Sequence, residues 1–249
     1  MKEEQTIQLS VVIPAFKEET VIQNTIRTVI KYLEQNSIID DWEIIVVEDS
    51  SADRTREFTE QICKKDKRVR INKPRPNRGK GYSVREGALL AKYDLVLFTD
   101  ADLSTPINEL DHFLELLTAY DVIIGSRAMA ESSIKKKQPL HRRIMGRVFN
   151  LLVRIFTGLN IKDTQCGFKL LNGCRKQFEM QTIERYSFDV ELLYLAKKAG
   201  KRIIEVPVVW INNERSKVRP VRDSIVMFKD IIRIRWNDIC GRYKYNEEL

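Results

Sequence analysis

Short runs of β-branched residues alternate with helical patterns of apolar residues through the first half of this chain. After the first run, for example, apolar positions recur at helical spacing, as at Ile22, Ile26, Val29 and Leu33. This alternation is typical of βαβ units around a mainly parallel sheet flanked by helices, an α/β fold. It predicts strands at 9–14, 42–47, 69–71, 94–99 and 122–124, with helices between them, including one at 80–92 and one that starts at Thr105-Pro106. The polar stretch at 128–138 is expected to be mobile or ligand-ordered. The second half is expected to add helices at 140–156 and 188–199, a strand at 168–171, and a run at 202–210 that Pro207 makes either an edge strand or an irregular one.

The composition fits one large domain. Of the 249 residues, 43% are hydrophobic, which is enough for a sizeable core. The four cysteines contain no CxxC pair and the two histidines lie far apart, so neither a zinc site nor a disulfide framework is predicted. We expect reduced thiols in a cytoplasmic setting. No apolar segment is long enough for a signal peptide or a membrane span, so we do not expect this chain to cross a membrane.

Basic residues are concentrated in the second half. The net charge is +8, which favours anionic partners, and lysines and arginines cluster at 135–147 and again after residue 213. We divide the chain into a domain at 1–212 and a basic amphipathic extension at 213–249. Apolar and basic residues interleave at 221–236, so a helix there can lie on an anionic membrane surface or pack on the domain with a solvated basic face.

The predicted strand at 94–99 ends in two carboxylates, Asp100 and Asp102, with Ala101 between them. Because side chains alternate along an extended strand, both should project to the same side. Two such carboxylates repel each other unless a cation lies between them, and oxygen ligands suit a hard divalent ion such as Mg²⁺ or Mn²⁺. The motif is short, however, and solvated loop acids often have the same spacing.

Other predicted strands also end in polar residues. Ligands of open α/β sheets bind outside the carboxyl ends of the strands, so Asp49, the paired aspartates and Arg127 should meet in one crevice. Arg127 can neutralise phosphate charge with a bidentate fork. Lys80, between two glycines, can contact a phosphate or be an ordinary surface lysine. P-loop, GxGxxG and GxSxG motifs are absent, so the set suggests a nucleotide-diphosphate site of another kind.

Six segments carry a family resemblance: VVIPAFKEE, VVEDSSADRT, NRGKGYSVREGA, FTDADLSTP, GSR and DTQCGFKLL. In this order and at these intervals they resemble glycosyltransferase family 2, and more narrowly the dolichyl-phosphate β-glucosyltransferases, relatives of dolichyl-phosphate mannose synthase. The resemblance covers roughly residues 8–240. It implies a GT-A fold, with the catalytic domain at 1–212. It also implies an inverting, metal-dependent enzyme that moves glucose from UDP-glucose to a polyprenyl phosphate.

The resemblance also assigns candidate site residues. Those matching the family's nucleotide-sugar site are Pro14, Ala15, Phe16, Glu18, Asp49, Asp100, Ala101 and Asp102, to which we add Lys80. Asp100 and Asp102 would hold the metal, while Ser104 stands where mannose synthases have a metal-contacting glutamine. Those expected to face the acceptor phosphate are Arg127, Arg142, Arg143 and Gln165. The candidate catalytic residues are Asp102, Arg127, Arg142 and Asp163.

The charge on the acceptor decides whether a base is needed. A polyprenyl phosphate is already anionic near neutral pH, so positioning and charge neutralisation suffice. If the acceptor were a sugar hydroxyl, a carboxylate base would be required, and Asp163 is the candidate unless it only caps a turn. A polyprenyl tail stays in the bilayer, so we expect docking at the cytosolic membrane surface through 140–156 and 221–236.

Three alternatives stay open. The donor can be another nucleotide sugar, such as GDP-mannose or UDP-N-acetylglucosamine. The chain can be a non-catalytic nucleotide-binding protein on the same scaffold, although the acidic pair argues against it. It can also be a basic nucleic-acid-binding domain, but it lacks the aromatic clusters and motifs of that class.

Overall fold

The computed structural model describes residues 6–135, 140–211 and 220–245. Its strands are β1 (Ile7–Ala15), β2 (Ile39–Glu48), β3 (Val69–Ile71), β4 (Leu95–Thr99), β5 (Val122–Ser126), β6 (Ser133–Ile134), β7 (Phe168–Asn172), β8 (Ile203–Pro207) and β9 (Val209–Trp210). Seven of them form one sheet in the order β3-β2-β1-β4-β7-β5-β8, and β6 pairs with β9 in a separate ribbon. The predicted run at 202–210 is divided: β8, which contains Pro207, lies at the sheet edge, while β9 belongs to the ribbon with β6, so the run is both at an edge and irregular.

The sheet is mainly parallel, with one exception. Strand β7 lies between β4 and β5 and runs antiparallel to both of them. Phe168 pairs with Thr99, so the residues just before β7 lie beside those just after β4. This reversal brings the segment at 163–167 to the edge of the sheet where the paired aspartates lie.

Helices cover both faces of the sheet. They are α1 (Ile22–Gln35), α2 (Thr55–Cys63), α3 (Lys80–Leu90), α4 (Leu110–Glu115), α5 (Leu140–Thr157), α6 (Arg175–Met180), α7 (Phe188–Lys198) and α8 (Pro220–Ile239). Successive strand residues point to opposite faces, so Val11 packs with Ile26 in one core while Val12 packs with Val84 in the other. Helix α3 approaches β1 so closely that a Cβ on Gly87 would lie 2.4 Å from Val12 Cγ1.

Three local predictions need correction. The helix expected to begin at Thr105-Pro106 begins later, because a 3₁₀ turn at Ile107–Glu109 precedes α4. Helix α6 is too short for a periodic pattern and was not predicted. Part of the polar stretch at 128–138, expected to be mobile or ligand-ordered, forms β6 against β9, and residues 136–139 lie outside the described part. Within the described ranges, no helix combines the length and hydropathy needed to cross a bilayer.

Candidate active site

Three non-glycine residues with left-handed backbone lie at the carboxyl ends of adjacent strands. Lys17 follows β1, Ser50 follows β2 and Leu103 follows β4, with φ of 56°, 59° and 46°. Such conformations are unfavourable for residues with a side chain, and they cluster at functional sites where the surrounding structure holds them. The three strand ends therefore form one constrained edge of the sheet.

Asp49 organises the β2 end of this edge. Its side chain is buried, and Oδ1 accepts hydrogen bonds from Arg75 Nη1 at 2.6 Å and the Arg78 backbone N at 3.0 Å. Its Oδ2 accepts from the Gly79 backbone N at 2.8 Å. Since a carboxylate has about four acceptor positions, Asp49 uses most of them to fix the loop that leads into α3.

The end of β1 lies next to Asp49. The Ala15 carbonyl accepts a hydrogen bond from the Asp49 backbone N at 2.9 Å. The backbone N of Glu18 donates to Thr55 Oγ1 at 2.8 Å, which ties this strand end to the start of α2. Pro14, Phe16 and Glu18 are half-buried, whereas Ala15 is buried. The four residues at the end of β1 that were predicted to bind the nucleotide sugar therefore lie at the same edge of the sheet as Asp49.

The paired aspartates begin the turn that follows β4. Ala101 faces the core, and its carbonyl accepts from Thr25 Oγ1 at 2.5 Å. Asp100 forms an ion pair with Lys80, with Nζ and Oδ1 2.5 Å apart. Asp102 Oδ1 accepts a hydrogen bond from the Ser104 backbone N at 2.9 Å. Asp100 and Asp102 are both partly exposed, so a ligand at this strand end can reach their side chains.

Gly167 makes the room that Asp100 occupies. A Cβ built on Gly167 would lie 1.9 Å from Asp100 Oδ2, far closer than any real contact. The Gly167 carbonyl also accepts a hydrogen bond from the Asp100 backbone N at 3.2 Å. Because β7 is antiparallel to β4, the glycine that precedes β7 lies beside Asp100, where a larger residue would clash with its carboxylate.

The two carboxylates fit a hard divalent cation that is shared with a substrate. Among the described residues, no group of three or more His, Cys, Asp or Glu side chains is arranged to hold a metal ion. Mg²⁺ and similar ions often take only one or two protein carboxylates and complete their coordination with phosphate oxygens and water. Asp100 and Asp102 meet this requirement, and the Ser104 backbone N orients Asp102.

Arg127, which follows β5, and Asp163, which precedes β7, form a bidentate ion pair. Arg127 Nε and Nη2 donate to the two Asp163 oxygens at 2.7 and 2.8 Å, and the Arg127 backbone N donates to Oδ2 at 2.9 Å. Burial raises the pKa of Asp163, but the positive charge of Arg127 outweighs this effect and holds the pKa below its usual range. Both oxygens of Asp163 are thus engaged in holding Arg127. The side chains of Arg142 and Arg143 lie outside the described part of the structure.

A family model described as Glycosyl transferase family 2 matches residues 10–172. The chain belongs to glycosyltransferase family 2. It is 35% identical over 251 residues to a dolichyl-phosphate beta-glucosyltransferase of Dictyostelium discoideum, covering 96% of this chain and 77% of that protein. A protein of the same name from Saccharomyces cerevisiae is 34% identical, covering 99% of this chain and 80% of its own length. The predicted family and enzyme class are therefore confirmed.

A solved structure confirms the GT-A fold. Glucosyl-3-phosphoglycerate synthase from Mycobacterium tuberculosis, in complex with Mn²⁺ and UDP-glucose, matches with a TM-score of 0.64 at 18% identity. The match covers 94% of this chain and 79% of that one.

The glycosyltransferase also has buried charges that sequence reasoning missed. Lys169 on β7 is fully buried, and its Nζ donates to the Cys166 carbonyl at 2.5 Å and to Asp189 on α7. Lys80, which the sequence did predict and which is partly exposed, lies near this pair: desolvation lowers its pKa, but the charges of Asp100 and Asp189 outweigh that effect and raise the pKa above its usual range. A lysine inside the apolar run of β7 was a usable signal, because a buried lysine needs a charged partner.

A cavity of about 400 Å³ opens beside the Arg127–Asp163 pair. Its lining combines apolar and polar groups from the β5 end, the segment before β7, β9 and α5, including Met129, Ile134, Phe149, Asn150, Gln165 and Trp210. The Thr164 hydroxyl, which also lines it, is buried and has no hydrogen-bond partner among the described residues. Gln165 is held by a 3.4 Å hydrogen bond from Nε2 to the Tyr186 carbonyl.

Helices α5 and α8 of the glycosyltransferase pack side by side and present an apolar surface. Phe156 and Phe228 meet edge to face, with ring centroids 5.9 Å apart. The large apolar side chains exposed on the two helices, defined here as the α5–α8 surface, are Ile144, Val148, Leu151, Ile155, Phe156, Ile225, Val226, Phe228, Ile232, Trp236 and Ile239. Exposed Arg147, Arg154, Lys229 and Arg233 lie on the same helices. The predicted helix at 221–236 is confirmed, and it both packs on the domain and leaves apolar groups exposed.

Proposed function

We propose that this glycosyltransferase moves glucose from UDP-glucose to a polyprenyl phosphate, with inversion and with the help of Mg²⁺ or Mn²⁺. The observation that carries the proposal is the contact between Gly167 and Asp100, because the short segment that ends at Gly167 also contains Asp163, which pairs with the partly buried Arg127 beside the cavity. The names of the relatives support the glucosyl donor and the dolichyl-type acceptor. The Mn²⁺ and UDP-glucose in the related structure support the same donor and a divalent ion.

The donor is assigned to the edge formed by β1, β2 and β4. Asp100 and Asp102 would hold the divalent ion, which when bound offsets the charge that grows on the departing diphosphate. Asp49 has little acceptor capacity left, so we assign it to fixing the loop and to at most one contact with the uridine. Pro14, Ala15, Phe16 and Glu18 would line the nucleotide, and Lys80 would face its diphosphate.

The acceptor phosphate is assigned to Arg127, with Gln165, Arg142 and Arg143 as further contacts. Arg127 is held rigidly by Asp163, so its guanidinium needs little reorganisation to meet an anion. A phosphate oxygen of the acceptor is already negatively charged and can attack the anomeric carbon without a base. We therefore assign Asp163 to positioning Arg127 rather than to removing a proton.

The α5–α8 surface is assigned to an anionic membrane at its cytosolic face. Apolar side chains flanked by arginines and lysines are typical of helices that lie in the interface of a bilayer. The cavity beside Arg127 is lined partly by α5, so a lipid whose tail stays in the bilayer would have a short path to the site. The four cysteines are free, which agrees with a reducing compartment.

One transfer assay tests the reaction. The protein is incubated with Mn²⁺ or Mg²⁺, a short polyprenyl phosphate and a panel of labelled nucleotide sugars, and the glycolipid is extracted. UDP-glucose is expected to be the preferred donor, and chelation of the metal is expected to stop transfer. Transfer only from GDP-mannose would contradict the donor assignment, and no transfer from any donor would contradict the whole proposal.

A vesicle flotation assay tests the membrane assignment. Replacing Ile155 and Trp236 by serine together removes two of the most exposed apolar groups of the α5–α8 surface. Binding to anionic vesicles in low salt is expected to weaken by about tenfold or more, since each buried apolar side chain contributes roughly 1.5–3 kcal/mol. Ile38 and Leu90 are exposed elsewhere, and their double serine variant is the matched control. Equal binding by the two variants would count against the assignment.

A further inference from the structure

Lys80 supplies a cation beside the paired carboxylates. Its Nζ lies 2.5 Å from Asp100 Oδ1, and the side chains of both residues are 32% exposed. The same ammonium group lies 5.5 Å from the centroid of the Phe98 ring. Lys80 is thus paired with a residue that we assign to the metal.

The backbone holds Lys80 in place from two sides. The Gly79 backbone N donates to Asp49, and the Tyr82 backbone N donates to the Glu184 carbonyl at 2.9 Å. Gly79 has φ of 108°, and a Cβ there would lie 2.8 Å from the Glu184 carbonyl oxygen, so this loop accepts only glycine. The Lys80 backbone is therefore fixed, while its partly exposed side chain has room to change partner.

Lys80 is the cation that neutralises Asp100, because the nearby cations Lys169 and Arg127 are paired with other carboxylates. Asp189 is already paired with the buried Lys169. Arg127, the next cation along the edge, is committed to Asp163. A divalent ion between the two carboxylates would lie close to the Lys80 ammonium, and like charges a few ångströms apart repel strongly in a partly buried site. Lys80 and the metal cannot both pair fully with Asp100.

We propose that Lys80 is an exchangeable counter-ion that couples metal binding to nucleotide binding. It pairs with Asp100 in the empty site and moves to the donor diphosphate when the divalent ion arrives. The metal alone then binds weakly, because it must displace a lysine whose other neighbouring anions are already engaged: Asp102 by the same metal and Asp189 by Lys169. With a nucleoside diphosphate present, the lysine gains a new partner and the metal binds more tightly. By linkage, the metal strengthens nucleotide binding by the same factor.

The proposal rests on the donor site proposed above, and direct binding measurements test it without any transfer reaction. Mn²⁺ is titrated into the protein and followed by electron paramagnetic resonance, with and without UDP. Wild type is compared with Lys80→Met, Lys80→Gln and the control Lys92→Met. Lys92 lies just beyond the end of the same helix, and its Nζ is 3.3 Å from Asp41 on the exposed surface. Thermal unfolding establishes that each variant is folded. If one Lys80 variant does not fold, the other is enough for the comparison with wild type.

Both Lys80 variants are expected to bind Mn²⁺ alone about tenfold more tightly than wild type, and the gain in Mn²⁺ affinity caused by UDP is expected to shrink by about tenfold. Lys92→Met should behave as wild type. Unchanged or weaker Mn²⁺ binding without UDP in the Lys80 variants would overturn the inference and leave the donor site intact. Failure of wild type to bind Mn²⁺ even with UDP would overturn the donor site and, with it, the inference.

Discussion

Replacing Gly167 with alanine should disable the site without unfolding the protein. The new Cβ would lie 1.9 Å from Asp100 Oδ2, 2.4 Å from Cγ and 2.8 Å from Oδ1. Gly167 is not among the glycines with positive φ, so the alanine backbone is unstrained. The whole cost of the substitution therefore falls on the position of one carboxylate.

The size of the effect follows from how far Asp100 must move. The carboxylate has to shift by about 1.5 Å or more to reach ordinary contact, and a misplacement of only about 1 Å in a catalytic site can cost about a hundredfold in rate. A hundredfold loss corresponds to about 3 kcal/mol of transition-state stabilisation. Because 32% of the Asp100 side chain is exposed, the carboxylate can turn toward solvent. The free energy of unfolding should therefore change by less than about 1 kcal/mol.

Gly87→Ala is the matched control, because it adds the same methyl group inside the core. There the Cβ would lie 2.4 Å from Val12 Cγ1 and 3.0 Å from Val47 Cγ2. We expect it to lower the free energy of unfolding by about 1–3 kcal/mol and to preserve activity per folded molecule. Glucosyl transfer and urea unfolding are measured on both variants. Full activity in Gly167→Ala, or an activity loss that merely follows unfolding, would refute the assigned role of this contact.

Three further predictions concern the buried charges and thiols. Arg127 holds the pKa of Asp163 below its usual range, so the stability that this pair contributes is complete above pH ~4 and is lost as the pH falls further; Asp163→Asn should flatten the urea stability profile below about pH 4. Burial raises the pKa of Cys166 to about 11, so at pH 8 iodoacetamide should label the exposed Cys240 and spare Cys166, as peptide mass spectrometry would show. Lys169→Met leaves a buried carboxylate unpaired and should lower the free energy of unfolding by about 3–5 kcal/mol in urea titrations.

The order of strands and helices could be predicted because each strand or helix is indicated by the spacing of apolar residues within its own segment. The strand at Val69–Ile71 was predicted with the same bounds, and the helix that follows Gly79 begins at Lys80 as expected. The 3₁₀ turn after Pro106 could not be predicted. A hydroxyl residue followed by proline indicates that a helix starts, but it does not indicate whether the first turn has 3₁₀ or α-helical hydrogen bonds. Helix α6 is shorter than two turns, so no apolar periodicity distinguishes it from a loop.

The site could be predicted where residues follow a strand, and less well where a partner lies far away in sequence. Asp49 was predicted from its position after β2, but its use of Arg75 and the backbone of Gly79 depends on a loop with no periodic pattern. Lys169 was visible as a charge within an apolar strand. Asp189, its partner on α7, reads as an ordinary acidic residue in the first turn of a helix.

The direction of β7 explains why the segment at 163–167 reaches the site. In an all-parallel sheet, ligands meet the residues that follow each strand, and that rule would have placed Gly173 at the edge with Asp100. Because β7 is antiparallel, the residues before it take that position, and Gly167 reaches Asp100. An apolar run looks the same in either direction, so local pattern cannot reveal this reversal, whereas the family resemblance did point to the segment. The reversal places Arg127, which follows the parallel β5, beside Asp163, which precedes β7. The proposed donor and acceptor sites therefore lie at one edge of the sheet.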